Sequence, residues 1–387
     1  MIGLTEVLIA DAPRPPCANK SETGYGHQEQ PPTKGVDGST APKLLPNRMP
    51  VPREFAGAAR KEVLDAEGPT YAFLWATIVN NYFWWPCSKT LGGSLDYLFP
   101  TGWAGVGGNS PTDGPGVIAS GAGEPYIVMM RKAESVVISM RGTNSPDDWK
   151  ENFQYDRIRR PRLDKSNRYQ GSVFHGYFRM VNDTFWGPVR DALDSEVVKG
   201  GATNLVFTGH SQGAGITMML AYAAANHLKS AGKGDVVVNA VGFATPAVGD
   251  TKFTKELTKR VNARQVFFIN DLVPDYPCTS KRGDGAKSMP ACAGTLVPTR
   301  TIKSKSGWPD YQQLWGQILV TGQDEPIQKD QWATTNLVTA ATGGRRFIET
   351  HRCSYQCFLS TFVTDFRDNR CILDGSSLTG YTICLPP

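Results

Sequence analysis

NLVFTGHSQGAGITMMLAYAAANHLKSAG, Asn204 to Gly232, joins two patterns in one stretch. NLVFTGH (Asn204 to His210) is a short, largely apolar run that reads as a strand ending at a glycine-rich turn. QGAGITMMLAYAAANHLKSAG reads as an Ala- and Met-rich helix closed by Gly232. Working outward, VVVNAVGF (Val236 to Phe243) and RQVFFIND (Arg264 to Asp271) read as further strands, with the helical pattern KFTKELTKRV between them. Upstream, YIVMMRK and SVVISMRG read as a hairpin. Continuously apolar strands alternating with helices predict an α/β fold, a mostly parallel central sheet with helices on both faces. No internal repeat is present.

Residues 1–60 are rich in Pro, Gly, Ser, Thr and charge, and read as a disordered or pro-segment-like extension. Residues 61–387 read as a single domain. YAFLWATIVNNYFWW (Tyr71 to Trp85), stopped by Pro86, reads as a helix packed on the core; the Gly-rich stretch Leu91 to Gly123 reads as loop. Net charge is only +5 and no long basic run concentrates it, which argues against a nucleic-acid partner. No apolar stretch reaches the ~18 residues of a membrane helix. The opening MIGLTEVLIADAPRPP is a poor signal peptide, with no basic start and with Glu6 inside its apolar part. Eight cysteines, with Cys353, Cys357, Cys371 and Cys384 clustered at the end, instead suggest disulfides and a secreted or lumenal protein. Scattered free thiols are the alternative. A zinc site lacks a second close pair at ligand spacing, so no metal or cofactor is expected.

GHSQG, Gly209 to Gly213, fits the G-x-S-x-G nucleophile elbow, in which a serine sits on a strained strand-to-helix turn. Small residues on either side keep that turn open, and the following helix points its N-terminus at the serine. The five-letter pattern is weak alone; the strand before it and the helix after it give it weight. Ser211 is therefore the candidate nucleophile, and it needs a base. The order of such sites is Ser, then acid, then His. Of His27, His175, His210, His227 and His351, only the last two follow Ser211. His227 lies about four turns along the helix, so His351 is the candidate base by elimination. Asp271, at the end of RQVFFIND, is the favoured acid. Asp250, which looks like a helix cap, and Asp275, beyond Pro274, remain alternatives.

The segments SVVISMRGTNS, SVFHGYF, TGHSQGAG, GFATPAVGD and FFINDLVPDYP together resemble the fungal-type, class 3 triacylglycerol lipases of the α/β-hydrolase superfamily, over about residues 70–360. The resemblance implies an α/β-hydrolase fold and an oxyanion hole formed by Thr143 and the backbone N–H of Gln212. It also implies a lid near Ser145 to Tyr155. There Trp149 and Phe153, four apart, would share a helix face toward lipid, or else serve the core. Asp147, Asp148, Lys150 and Glu151 make that lid polar. His175 falls on a position that is structural in the family. The sequence departs from the pattern at Ala244, where Gly is usual, and at Gly176, which follows His175 directly. Residues 278–322 read as an insertion, with Cys278 and Cys292 closing a loop, and chain-end stapling in relatives implies a bridge from the C-terminal cluster to Cys87.

The expectation is a serine carboxylic-ester hydrolase, a lipase working through an acyl-enzyme on an ester or lipid substrate, at a lipid–water interface, as a monomer. A feruloyl-type esterase, a phospholipase or an acyltransferase would use the same scaffold. A non-catalytic secreted lipid-binding protein is the reading from another class.

Overall fold

The computed structural model describes residues 69–78, 99–100, 102–109, 114–120, 125–143, 146–152, 154, 156–165, 167–268, 271, 273–275, 279–281, 311–312, 317–320, 351 and 355. The N-terminal extension, His27, Phe153 and all eight cysteines lie outside these residues, and so does the second half of the helix expected to reach Trp85.

One sheet organises the molecule. Its strands are β1 (Ala104–Gly105), β2 (Val117–Ala119), β3 (Pro125–Lys132), β4 (Ser135–Met140), β7 (Asn204–His210), β8 (Val237–Phe243), β9 (Asn262–Phe268) and β12 (Gln317–Val320). Two short ribbons stand apart from it: β5 (Arg157–Arg159) with β6 (Ser172–Phe174), and β10 (Thr279–Lys281) with β11 (Tyr311–Gln312). The order within the sheet is β1-β3-β4-β7-β8-β9-β12, with β2 beside β3. The β1, β2, β3 and β4 pairings are antiparallel, and from β4 through β12 every pairing in the sheet is parallel. All six residues of β4, and all of β7 but Asn204, are buried. That explains their unbroken apolar character, since a parallel strand has no solvent face to mark with polar residues.

Helices cover both faces. On one lies α1 (Pro69–Ile78), tied down where Ser139 Oγ donates to the Ala76 carbonyl at 3.1 Å and the Thr77 and Thr208 hydroxyls meet at 2.7 Å. A short helix, α2 (Pro146–Asn152), follows β4 in the chain. On the other face lies α5 (Gln212–Ser230), with fourteen of its nineteen residues buried. A helix apolar all round belongs inside, and this one is enclosed by further helices. Those are α3 (His175–Met180) and α4 (Trp186–Leu193), joined and followed by π-helical turns at Val181–Phe185 and Asp194–Lys199, and α6 (Thr251–Arg260). α6 is amphipathic, burying Phe253, Thr254 and Leu257. Asp250 caps it, accepting from the Phe253 N–H at 2.9 Å, so it serves the cap as expected.

Two expectations need correction. The stretch Leu91 to Gly123 contains β1 and β2; at two and three residues among left-handed glycines, they are too short to show a strand period. The RQVFFIND strand starts two residues earlier, at Asn262. In addition, Gln317–Val320, inside the stretch read as an insertion, is the sheet's edge strand, paired in register with Gln265–Phe268.

Candidate active site

The elbow is built by backbone geometry. Ser211 caps α5 with φ +57° and ψ −127°, a conformation that a non-glycine residue adopts at a cost. Its N–H donates to the Phe243 carbonyl at 2.9 Å, pinning the turn to β8. The flanking glycines answer to contact. A Cβ at Gly209 would come within 2.7 Å of Gly213, and one at Gly213 within 2.5 Å of the Met140 carbonyl. The turn therefore excludes any side chain at either position.

Across from it, the Ser211 hydroxyl lies 2.8 Å from His351 Nε2. His351 Nδ1 lies 3.1 Å from both carboxylate oxygens of Asp271. A carboxylate only accepts, so Nδ1 carries the proton and Nε2 is left to accept from the serine. The structure thus brings together Ser211, His351 and Asp271 from positions up to 140 residues apart. Asp271 is 1% exposed and is further held by the Val273 N–H at 3.0 Å and the Tyr355 hydroxyl at 2.8 Å. His227 is elsewhere, 2.7 Å from Asp194. His175 opens α3 and meets Asp156 at 2.8 Å. A Cβ at Gly176 would collide with the Glu151 backbone, which explains glycine directly after His175.

The Thr143 and Gln212 region is cross-braced by α2. Gln212 begins α5, so its N–H is among the first-turn donors that a helix leaves unbonded within itself. Its side chain is locked by three bonds. Oε1 accepts from the Tyr126 hydroxyl at 2.8 Å, and Nε2 donates to the Asp148 carbonyl at 2.8 Å and to Asn152 Oδ1 at 3.0 Å. Asn152 Oδ1 also accepts from the Tyr177 hydroxyl at 3.2 Å. With two donors on its oxygen, Asn152 turns Nδ2 to the Thr143 hydroxyl, at 2.8 Å. Arg141, 3% exposed, lies 4.5 Å from the Tyr126 ring centroid, pairs with Asp148 and donates to the Pro125 and Gly142 carbonyls. Burial first, then the Asp148 carboxylate, hold the Tyr126 phenol well above its usual range, so it stays a donor.

Asp148, one of the residues that make this segment polar, is buried against Arg141. Trp149 lies within α2, and its side chain, like all of Phe153, is outside the described residues.

Sequence reasoning missed three groups. Tyr355 is four residues past His351. Asn152 hid among charged neighbours. His210, 3% exposed, donates Nε2–H to the His351 carbonyl at 2.7 Å and packs its ring 4.8 Å from that of His351. The only signal available for it was adjacency to Ser211.

Among the described residues there is no helix long and apolar enough to cross a membrane and no cluster suited to a metal ion. Residues 137–281 match the family model described as lipase (class 3). Phospholipase A1-Ialpha2, chloroplastic, of Arabidopsis thaliana is 28% identical over 159 residues, 37% of this chain. The chain spans about a third of that relative, 32% of its length. Among solved structures, M37 lipase is similar with a TM-score of 0.44 at 14% identity, over 77% of this chain and 97% of that one. Rhizomucor miehei triacylglyceride lipase has a TM-score of 0.38 at 15% identity, over 54% and 74%. Over residues 137–281, from within β4 through the elbow and Asp271 to the end of β10, the chain is thus similar to the class 3 lipases.

Proposed function

We propose that the chain is a serine carboxylic-ester hydrolase, a lipase acting on acylglycerols. The observation that carries this reading is the continuous contact from Ser211 Oγ through His351 to Asp271, at 2.8 and 3.1 Å. In the reaction, Ser211 Oγ attacks the ester carbonyl carbon while its proton passes to His351 Nε2. Asp271, dry and held by three donors, stabilises the imidazolium that forms. The tetrahedral oxyanion lies against the N–H groups of Thr143 and Gln212. Asn152 donates to the Thr143 oxygen, which leaves the hydroxyl proton of Thr143 able to turn toward the oxyanion as well. Each such donor typically contributes about 3 kcal/mol to the transition state. His351 returns its proton to the departing alcohol. Water then repeats the sequence on the acyl-enzyme.

Ser211→Ala tests the reading with a short nitrophenyl ester. A rate within about tenfold of the parent, roughly 1.4 kcal/mol of barrier, would refute Ser211 as the nucleophile, and no turnover by the parent would favour a non-catalytic lipid binder. A second reading, phospholipase A1 activity, is favoured by the Arabidopsis relative. Comparing phosphatidylcholine with a triacylglycerol at equal interfacial area separates the two.

A further inference from the structure

The chain between α2 and α3 is DRIRRPRLDKSNR, residues 156–168. It holds six cations and two carboxylates, a net +4 in a protein whose whole net charge is +5. The fold gathers them on a ribbon: β5 runs antiparallel to β6, and the pairing continues through an Arg162–Arg168 bridge. We propose that this ribbon is a docking surface for anionic, phosphate-bearing lipid. The proposal rests on the lipase reading for its choice of lipid.

Three observations carry it. First, the ribbon's inner side is fixed and its outer side is cationic. Ile158 and Leu163 pack against the core, Asn167 Nδ2 donates to the Ala223 carbonyl at 2.7 Å, and the Tyr169 hydroxyl donates to Met219 O at 3.0 Å. Arg159, Arg160, Arg162, Lys165 and Arg168 are exposed. Second, among the described residues the charge of those five cations is not neutralised locally. Asp156 meets His175, and Asp164 accepts from Trp186 Nε1 at 2.9 Å. Among the described residues those five cations form no ion pair. Arg162 and Arg168 face each other across the ribbon, and like charges directly opposite are destabilising. Third, the cationic surface continues onto α6. Asp250 at its cap accepts from the Ser172 N–H at 2.8 Å, so α6 begins against the ribbon. It adds exposed Lys252 and Lys255, while Glu256 is taken up by Lys259 and Arg260.

A cost left standing inside the protein is relieved by anions outside it. Guanidinium forks suit phosphate oxygens, which they grip in pairs. The ribbon's base is also joined to the site's bracing helix. The His175 N–H donates to Asp156 O and the Gly176 N–H to Gln154 O, both at 3.0 Å, just past Asn152.

The test is partitioning of the full chain onto phosphatidylcholine vesicles with and without phosphatidylglycerol, with turnover of a soluble nitrophenyl ester read in parallel. The parent should prefer the anionic vesicles and lose that preference as salt rises. Each basic residue near an anionic surface strengthens partitioning roughly fivefold. Arg159→Glu, Arg162→Glu and Arg168→Glu together should therefore lower it by about 100-fold or more, with soluble-ester turnover unchanged. No preference for anionic vesicles by the parent, or equal binding by parent and variant, overturns the proposal. Binding of the parent to a polyanion such as single-stranded DNA, but not to vesicles, overturns it in favour of a nucleic-acid partner. The salt titration uses the parent alone, so the proposal can still be refuted where the variant fails to fold. Absence of ester turnover by the parent refutes the lipase reading, and the vesicle measurement still stands.

Discussion

The two halves of the site are held by different means. The Ser211 half is a single turn between adjacent elements, β7 and α5, and its shape follows from two glycines and one strained serine. The His351 half is assembled from a distance: Asp271 holds one ring nitrogen, His210 the main-chain carbonyl, and Tyr355 the far side of the carboxylate. A local turn tolerates loss of any one remote contact. An assembled half depends on every buried polar partner, because each one removed leaves another without its bond.

Substitutions can break that contrast, and the largest effect belongs to the assembled half. His351→Ala should lower the maximal rate by about ten-thousand-fold or more, since Ser211 loses its proton acceptor. His227→Ala should leave it within a few-fold. Steady-state kinetics on one soluble ester would compare them, and the reverse ranking would refute the assignment. Next comes Asn152→Ala, which removes the donor to Thr143 and strands the Gln212 and Tyr177 donors. A fall of about 10- to 100-fold in kcat with KM little changed is expected, less than the loss of a whole oxyanion donor. An unchanged kcat would sever α2 from catalysis.

Tyr355→Phe sharpens the comparison. It withdraws one of three groups donating to a buried carboxylate, with an expected stability loss of about 1–3 kcal/mol. Denaturant unfolding measures this, and no loss would mean that Asp271 finds another donor. Smallest is Ala244→Gly on the local half. Ala244 has φ +53°, where an L side chain costs about 1–2 kcal/mol. The gain is offset in part by the looser unfolded chain of glycine. A modest rise in the unfolding midpoint is expected, and a fall would show that the alanine methyl is needed for packing.

How much of this the sequence disclosed follows the same division. The β7–α5 elbow, the capping role of Asp250 and the alternation of buried strands and helices were legible because each depends on neighbours in the chain. The glycine usual at position 244 in the class 3 pattern is explained by the positive φ found there. His351 could be reached by elimination, but not Tyr355, His210 or Asn152, since nothing local distinguishes a tyrosine or asparagine that bonds across 84 or 60 residues. The strands β1 and β2 escaped notice because two or three residues carry no period. The cationic ribbon escaped as well, because interleaved Ile, Pro, Leu and Asn break the basic run and only strand pairing gathers it.

The most direct measurement is labelling with a fluorophosphonate, followed by mapping of the modified residue by mass spectrometry. The account predicts one adduct, on Ser211, formed rapidly in the parent and in His227→Ala and very slowly in His351→Ala. An adduct on another residue, or labelling of His351→Ala at the parent's rate, would contradict it.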